Sequence, residues 1–286
     1  MHTIKAELIY ESGNSLGEGP FCYSEKCMYW VDIFNSSVFS IELPSTNIKE
    51  LSLDSYICCA GKTLHNDIIA AGENGVALYD ENFEFKKLLF DAPFDTSLQR
   101  FNDGKVGPDG AFWAGSMSYE GDKAIGGLYR FGEDTVQILD KMIIPNGIGW
   151  SPQGNEMYVT DSGKGAITRW EFDSRTGELS NEYLFIELDT KQGVPDGLCV
   201  DESGNIWSAC WGGGCILGFD SEGNKIAEIE VEATNTSSCC FGGENYETLF
   251  ITSAQHGIST PKTTDGAFYK AITGTYGLPA YRFKFV

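Results

Sequence analysis

Four short phrases bounded by glycine or proline each carry a hard oxygen side chain: Leu16-Gly-Glu18-Gly-Pro20, Arg100-Phe-Asn102-Asp103-Gly-Lys105, Pro145-Asn146-Gly147 and Pro195-Asp196-Gly197. Brought together, Glu18, Asn102, Asn146 and Asp196 would form an all-oxygen donor set, which suits Ca²⁺ or Mg²⁺ and also Mn²⁺. Two carboxylates balance the charge of such an ion, and three or four protein oxygens leave positions for water and a substrate oxygen. Without a cation the two carboxylates would repel, and one would take up a proton. Each phrase alone reads as a turn signal. A turn requirement does not explain why Glu18, a poor turn residue, holds the first slot.

Other chemistries find less support. The nine cysteines are odd in number, include the adjacent pairs Cys58-Cys59 and Cys239-Cys240, and form no CxxC motif. They read as reduced core thiols, without structural zinc. His2, His65 and His256 have no paired spacing. Ser116, Ser162 and Ser253 lack the G-x-S-x-G elbow of a serine hydrolase. Trp211-Gly-Gly-Gly214 is followed by no helix and reads as a tight turn, not a phosphate loop.

The elements that must position the four phrases are strands. Short β-branched and aromatic runs alternate with turn signals such as Pro108-Asp-Gly110 and Glu202-Ser-Gly-Asn205, and no window sustains an amphipathic helix. A phrase of inner strand, glycine turn, Trp- or Tyr-bearing strand and outer aromatic strand repeats, with starts at Asn102, Asn146, Asp196 and Ser238 that lie 44, 50 and 42 residues apart. That is the length of a four-stranded propeller blade. Further starts near Gly19 and Cys59 bring the count to six. The expected fold is all-β, a six-bladed propeller of four-stranded antiparallel blades, with residues 1–286 forming a single domain. Too little chain follows Ser253 to finish the last blade, so Lys5-Tyr10 is expected to supply its outer strand and close the ring. The first strand of each blade lines the central channel, which makes the four phrases neighbours at one mouth. Trp113, Trp150 and Trp207 are expected to pack between blades.

The net charge of −21 argues against nucleic acid or an anionic membrane as partner, because phosphates call for a basic footprint. Small neutral solutes and cations remain. Met1 to Tyr10 has no long apolar run, and nothing later approaches membrane-spanning length. A cytoplasmic monomer is expected.

With these residues in order, the chain resembles the senescence marker protein/gluconolactonase/luciferin-regenerating enzyme-like family, which includes regucalcin and bacterial sugar lactonases. The resemblance covers nearly the whole length. Besides the four phrases it rests on Phe112-Trp-Ala-Gly-Ser-Met117, Tyr158-Val-Thr-Asp-Ser162, Trp211-Gly-Gly213, Phe241-Gly-Gly243 and Ile251-Thr-Ser-Ala254. It implies one divalent ion, Ca²⁺ first with Mg²⁺, Mn²⁺ or Zn²⁺ as alternatives, held by Glu18, Asn146 and Asp196. It also implies that Asn102 lies close to the ion, that Arg100 and Asp103 face the substrate, and that Glu120 in Met117-Ser-Tyr-Glu120 binds it. The implied activity is hydrolysis of sugar lactones such as gluconolactone: the ion polarises the carbonyl, Asp196 activates water as base or attacks as nucleophile, and Arg100, Asn102 and Asp103 orient the sugar. Two alternatives stand beside it: a calcium-binding regulator without catalysis, and a phosphotriesterase or other esterase using the same ion.

Overall fold

The computed structural model describes residues 2–45 and 47–285 and consists almost wholly of β-strands. Six antiparallel four-stranded blades form a ring. Their innermost strands are Gly17–Ser24, Ile57–Thr63, Gln99–Val106, Pro145–Trp150, Val194–Val200 and Asn235–Gly242. Three short 3₁₀ turns, Ser162–Lys164, Thr190–Gln192 and Glu244–Tyr246, are the helical elements among the described residues.

Burial grades outward along each blade because inner strands meet neighbours on both faces. Phe112–Ser118 is buried at every position, whereas the outer strand Asn47–Ser52 is largely exposed. The outer strand of the sixth blade is Glu7–Tyr10, which pairs antiparallel with Phe268–Ile272 and closes the ring as expected. Two additions were not expected. His2–Lys5 adds a parallel fifth strand to the outer edge of the fifth blade, and Arg282–Phe283 pairs parallel with Lys62 and Thr63 of the second blade.

The core is divided into slabs between adjacent blades. Trp113, Trp150 and Phe172 pack edge to face between the third and fourth blades, and Trp207 meets Phe241 between the fifth and sixth. At the seam where the ends of the chain meet, Trp30 lies flat on Phe268 with centroids 4.0 Å apart and on Phe39 at 5.1 Å. The Trp30 Nε1–H donates to Asn14 Oδ1 at 3.1 Å, so its polar edge is satisfied. Trp30→Ala is expected to cost about 3–5 kcal/mol, read by urea unfolding. Phe85→Ala, at a side chain 63% exposed, should stay within about 0.5 kcal/mol.

Candidate metal and substrate site

In all six innermost strands the ladder slips near the strand's start, so a side chain that would lie along the sheet turns toward the axis. The shifts fall between Glu18 and Phe21, Ile57 and Cys59, Phe101 and Gly104, Pro145 and Ile148, Pro195 and Leu198, and Thr236 and Ser238. Glu18, Cys58, Asn102, Asn146, Asp196 and Ser237 stand at or inside them. The Asn-Gly and Asp-Gly pairs are therefore bulges within strands, not turns. Their glycines are required by close approach: a Cβ at Gly147 would lie 2.5 Å from the Leu198 nitrogen and 2.6 Å from the Asp196 carbonyl oxygen.

These side chains also tie each inner strand to the next. Cys58 Sγ–H donates to the Phe101 carbonyl at 3.1 Å, Asn102 Nδ2 to the Pro145 carbonyl at 3.1 Å, and Ser237 Oγ to the Gly17 carbonyl. Asn146 Nδ2 donates to Ser162 Oγ at 3.2 Å, and Ser162 passes the link to the Pro195 carbonyl at 2.6 Å. Each accepting carbonyl belongs to the residue just before the next axial side chain. Asp32 accepts from the Ser15 and Leu16 amides, and Asp161 from those of Ile143 and Ile144. The same clamp thus fixes the chain two residues ahead of Glu18 and of Asn146.

The hydrogen-bond inventory separates the four oxygen-bearing residues. Asn102 is fully engaged, its Oδ1 accepting from Arg100 Nη1 at 2.9 Å while its amide holds Pro145. Asn146 Oδ1 and Asp196 Oδ1 are buried without any partner. Glu18 commits Oε2 to the Gly19 amide at 3.0 Å. Orphaned buried oxygens are rare and call for an occupant. The free oxygens here, two carboxylates and one amide carbonyl, have the hardness a divalent cation selects. Among the described residues no group of three or more His, Cys, Asp and Glu side chains is placed to hold a metal ion, so the Asn146 carbonyl is indispensable to any such site.

Electrostatics point the same way. Burial first and then the charge of Asp103 push the Glu18 carboxyl up to about 8, against the pull of the Gly19 amide and Arg100. Asp196 is pushed well above the carboxylate range, by burial first and then by Glu18 and Asp103. Asp103 is itself raised by burial, opposed by Lys105 and the Gly104 amide.

Glu18, Arg100, Asn102, Glu120, Asn146 and Asp196 all line one pocket of about 240 Å³ at the channel mouth. Asp103 does not line it. It borders a second cavity of about 110 Å³ further down the inner strands, together with Lys105 and the C-terminal stretch Leu278 to Tyr281. Its place there follows from the two-residue bulge, which sends neighbours 102 and 103 in different directions. Sequence reasoning overlooked Phe34 and Tyr119 on the wall and did not assign Ser162, Trp211 or His256 to it. Ser162 and Trp211 carried a signal, the Thr-Asp-Ser phrase at the end of one strand and the Trp-Gly-Gly phrase at the end of another. The nine cysteines are free thiols, seven of them buried, as expected.

The model of the SMP-30/Gluconolactonase/LRE-like region matches residues 16–255. The chain belongs to this family. Regucalcin of Gallus gallus is 30% identical over 99% of each chain. A Bacillus subtilis protein provisionally named a sugar lactone lactonase is 32% identical over 84% of this chain and 83% of its own. Among solved structures, a calcium-binding protein, regucalcin, from Agrobacterium tumefaciens superposes with a TM-score of 0.90 at 27% identity, covering 98% of both chains. Among the described residues no helix is long and apolar enough to cross a membrane.

Two outcomes are expected from this geometry. In chelator-treated protein, folded Glu18 and Asp196 keep protons that the unfolded chain releases above about pH 4.5, so unfolding free energy falls as pH rises from about 5 to about 8. Melting temperature in EDTA should drop across that window, and by less in Glu18→Gln. Gly147→Ala should cost about 1–3 kcal/mol in urea unfolding through overpacking against the strand that carries Asp196.

Proposed function

We propose that the protein is a divalent-cation-dependent hydrolase of sugar lactones, with Glu18, Asn146 and Asp196 as the residues that would hold the ion. The observation that carries this reading is the pair of partnerless buried oxygens, Asn146 Oδ1 and Asp196 Oδ1, beside the strained carboxyl of Glu18. The names of its relatives support the substrate class. When bound, the cation, Ca²⁺ first with Mg²⁺, Mn²⁺ or Zn²⁺ as alternatives, supplies Lewis acidity toward the lactone carbonyl.

The protein's own residues do the rest. Asp196 has two carboxylate oxygens, so one can serve the ion while the other takes a proton from the attacking water. Arg100 has Nη1 fixed by the Phe101 carbonyl at 2.8 Å and by Asn102. Its remaining N–H groups are held in one orientation, ready to pair with a substrate hydroxyl or the product carboxylate. Asn102 acts through this contact by locking the guanidinium. Glu120, exposed on the pocket wall, can accept from a ring hydroxyl at the outer end. Asp103 acts from behind, through its charge on Glu18 and Asp196.

A second reading, a calcium-binding regulator without catalysis, is favoured by the name of the Agrobacterium relative. The two separate in one experiment: hydrolysis of glucono-δ-lactone after chelation and after re-addition of each cation, with a fluorophosphate ester alongside. Activity is expected to vanish on chelation and return with the ion, and Asp196→Ala should lose at least ~10²-fold in kcat while weakening cation binding. Tight cation binding with no turnover of any lactone would favour the regulator, and preference for the fluorophosphate would favour a phosphotriesterase.

A further inference from the structure

We infer that the outer half of the pocket takes a lactone bearing an apolar ring substituent, an aryl group above all, an inference that rests on the lactonase reading of the same site. Beyond the polar floor the wall is built from Leu16, Phe34, Met117, Ile144, Val194 and Trp211. Phe34 leaves 46% of its surface exposed at the mouth, yet it is no loose loop residue. It lies in the tight turn after Cys27–Asp32, which Asp32 pins by accepting from Asn35 Nδ2 at 2.8 Å. His256 meets the Phe34 ring edge to face at 4.9 Å, and Trp211 lies 6.5 Å from the same imidazole. The Arg100 guanidinium sits 5.8 Å from the Phe34 centroid. Three rings thus form a rim held by their mutual contacts, and a further flat ring can lie against it.

The polar groups of the pocket, by contrast, are mostly spent. Ser162 is engaged as both donor and acceptor, Asn102 at both ends, and the Tyr119 hydroxyl donates to the Thr96 carbonyl at 3.0 Å. Glu120, the free edge of Arg100 and the His256 ring remain for a substrate that in an aldonolactone carries several hydroxyls. A hydroxyl turned toward Leu16, Ile144 or Val194 loses its water without a replacement, which disfavours it. An aryl group in the same place gains by leaving water.

The test compares three lactones under saturating Ca²⁺: γ-butyrolactone, γ-phenyl-γ-butyrolactone and glucono-δ-lactone. The phenyl lactone is expected to exceed the unsubstituted ring by at least ~10-fold in kcat/KM. Phe34→Ala and Trp211→Ala, each checked for an intact melting transition, should cut that ratio severalfold. A phenyl lactone no better than γ-butyrolactone, or a ratio untouched in both variants, overturns the inference even if glucono-δ-lactone is hydrolysed. Hydrolysis of none of the three overturns the lactonase reading and this inference with it.

Discussion

Around the axis the structure depends on a girdle of hydrogen bonds in which a side chain of one inner strand holds the carbonyl of the next. Cys58, Asn102, Asn146 through Ser162, and Ser237 make these links. Inner strands of a propeller run side by side without pairing across the blade boundary, so their backbone groups need such partners where the bulges break the ladder. Side chains that tie the ring together are thereby also aimed at its axis. The acidic members, Glu18 and Asp196, have no proton to give a neighbouring carbonyl when ionised. Glu18 accepts from the Gly19 amide instead, and Asp196 Oδ1 is left without a partner.

That division explains the electrostatics. Three carboxyls, Glu18, Asp103 and Asp196, are buried and raised by burial first; Asp103 also raises Glu18, and both raise Asp196, with Arg100 opposing at Glu18 and Lys105 at Asp103. The Lys105 ammonium is committed to the Leu198 carbonyl at 2.9 Å, and Arg100 is committed on one edge to Asn102. Protonation of Glu18 and Asp196 relieves the repulsion at low pH. A divalent ion would relieve it where the carboxyls are ionised and would also supply Asn146 Oδ1 and Asp196 Oδ1 with the partner they lack, which protonation at the carboxyls cannot do for the amide. The proposed cation is thus the occupant that answers both the charge and the orphaned oxygens.

Much of this was legible in the sequence because the repeat imposes equivalent environments on equivalent residues. The blade count, the strand positions and the gathering of Glu18, Asn102, Asn146 and Asp196 at one mouth follow from the spacing of a recurring phrase. The bulges themselves were not legible: Asn-Gly and Asp-Gly look like turns taken singly, because glycine serves tight approach and positive φ with the same missing side chain. Asp103 borders the neighbouring cavity although it directly follows Asn102, and a linear motif does not show on which side of a two-residue bulge each neighbour emerges. The parallel strands His2–Lys5 and Arg282–Phe283 are too short to carry a pattern, and they exist only because an edge and an inner strand were left open to receive them.

The wall residues were illegible for a different reason, and that reason bears on how such a site is divided. Phe34, Tyr119 and His256 follow the second strand of their blades and Trp211 ends one, at connections whose lengths and sequences the repeat does not constrain. The axial residues answer to the girdle, so a change at Asn102 or Ser162 would loosen neighbouring blades as well as alter chemistry. The rim rests instead on contacts of its own, Phe34 on His256 and on the turn that Asp32 pins. The proposed reaction centre is fixed by the ring and the mouth by the connections between strands, so the two can vary separately, and one proposed floor could serve lactones of different polarity.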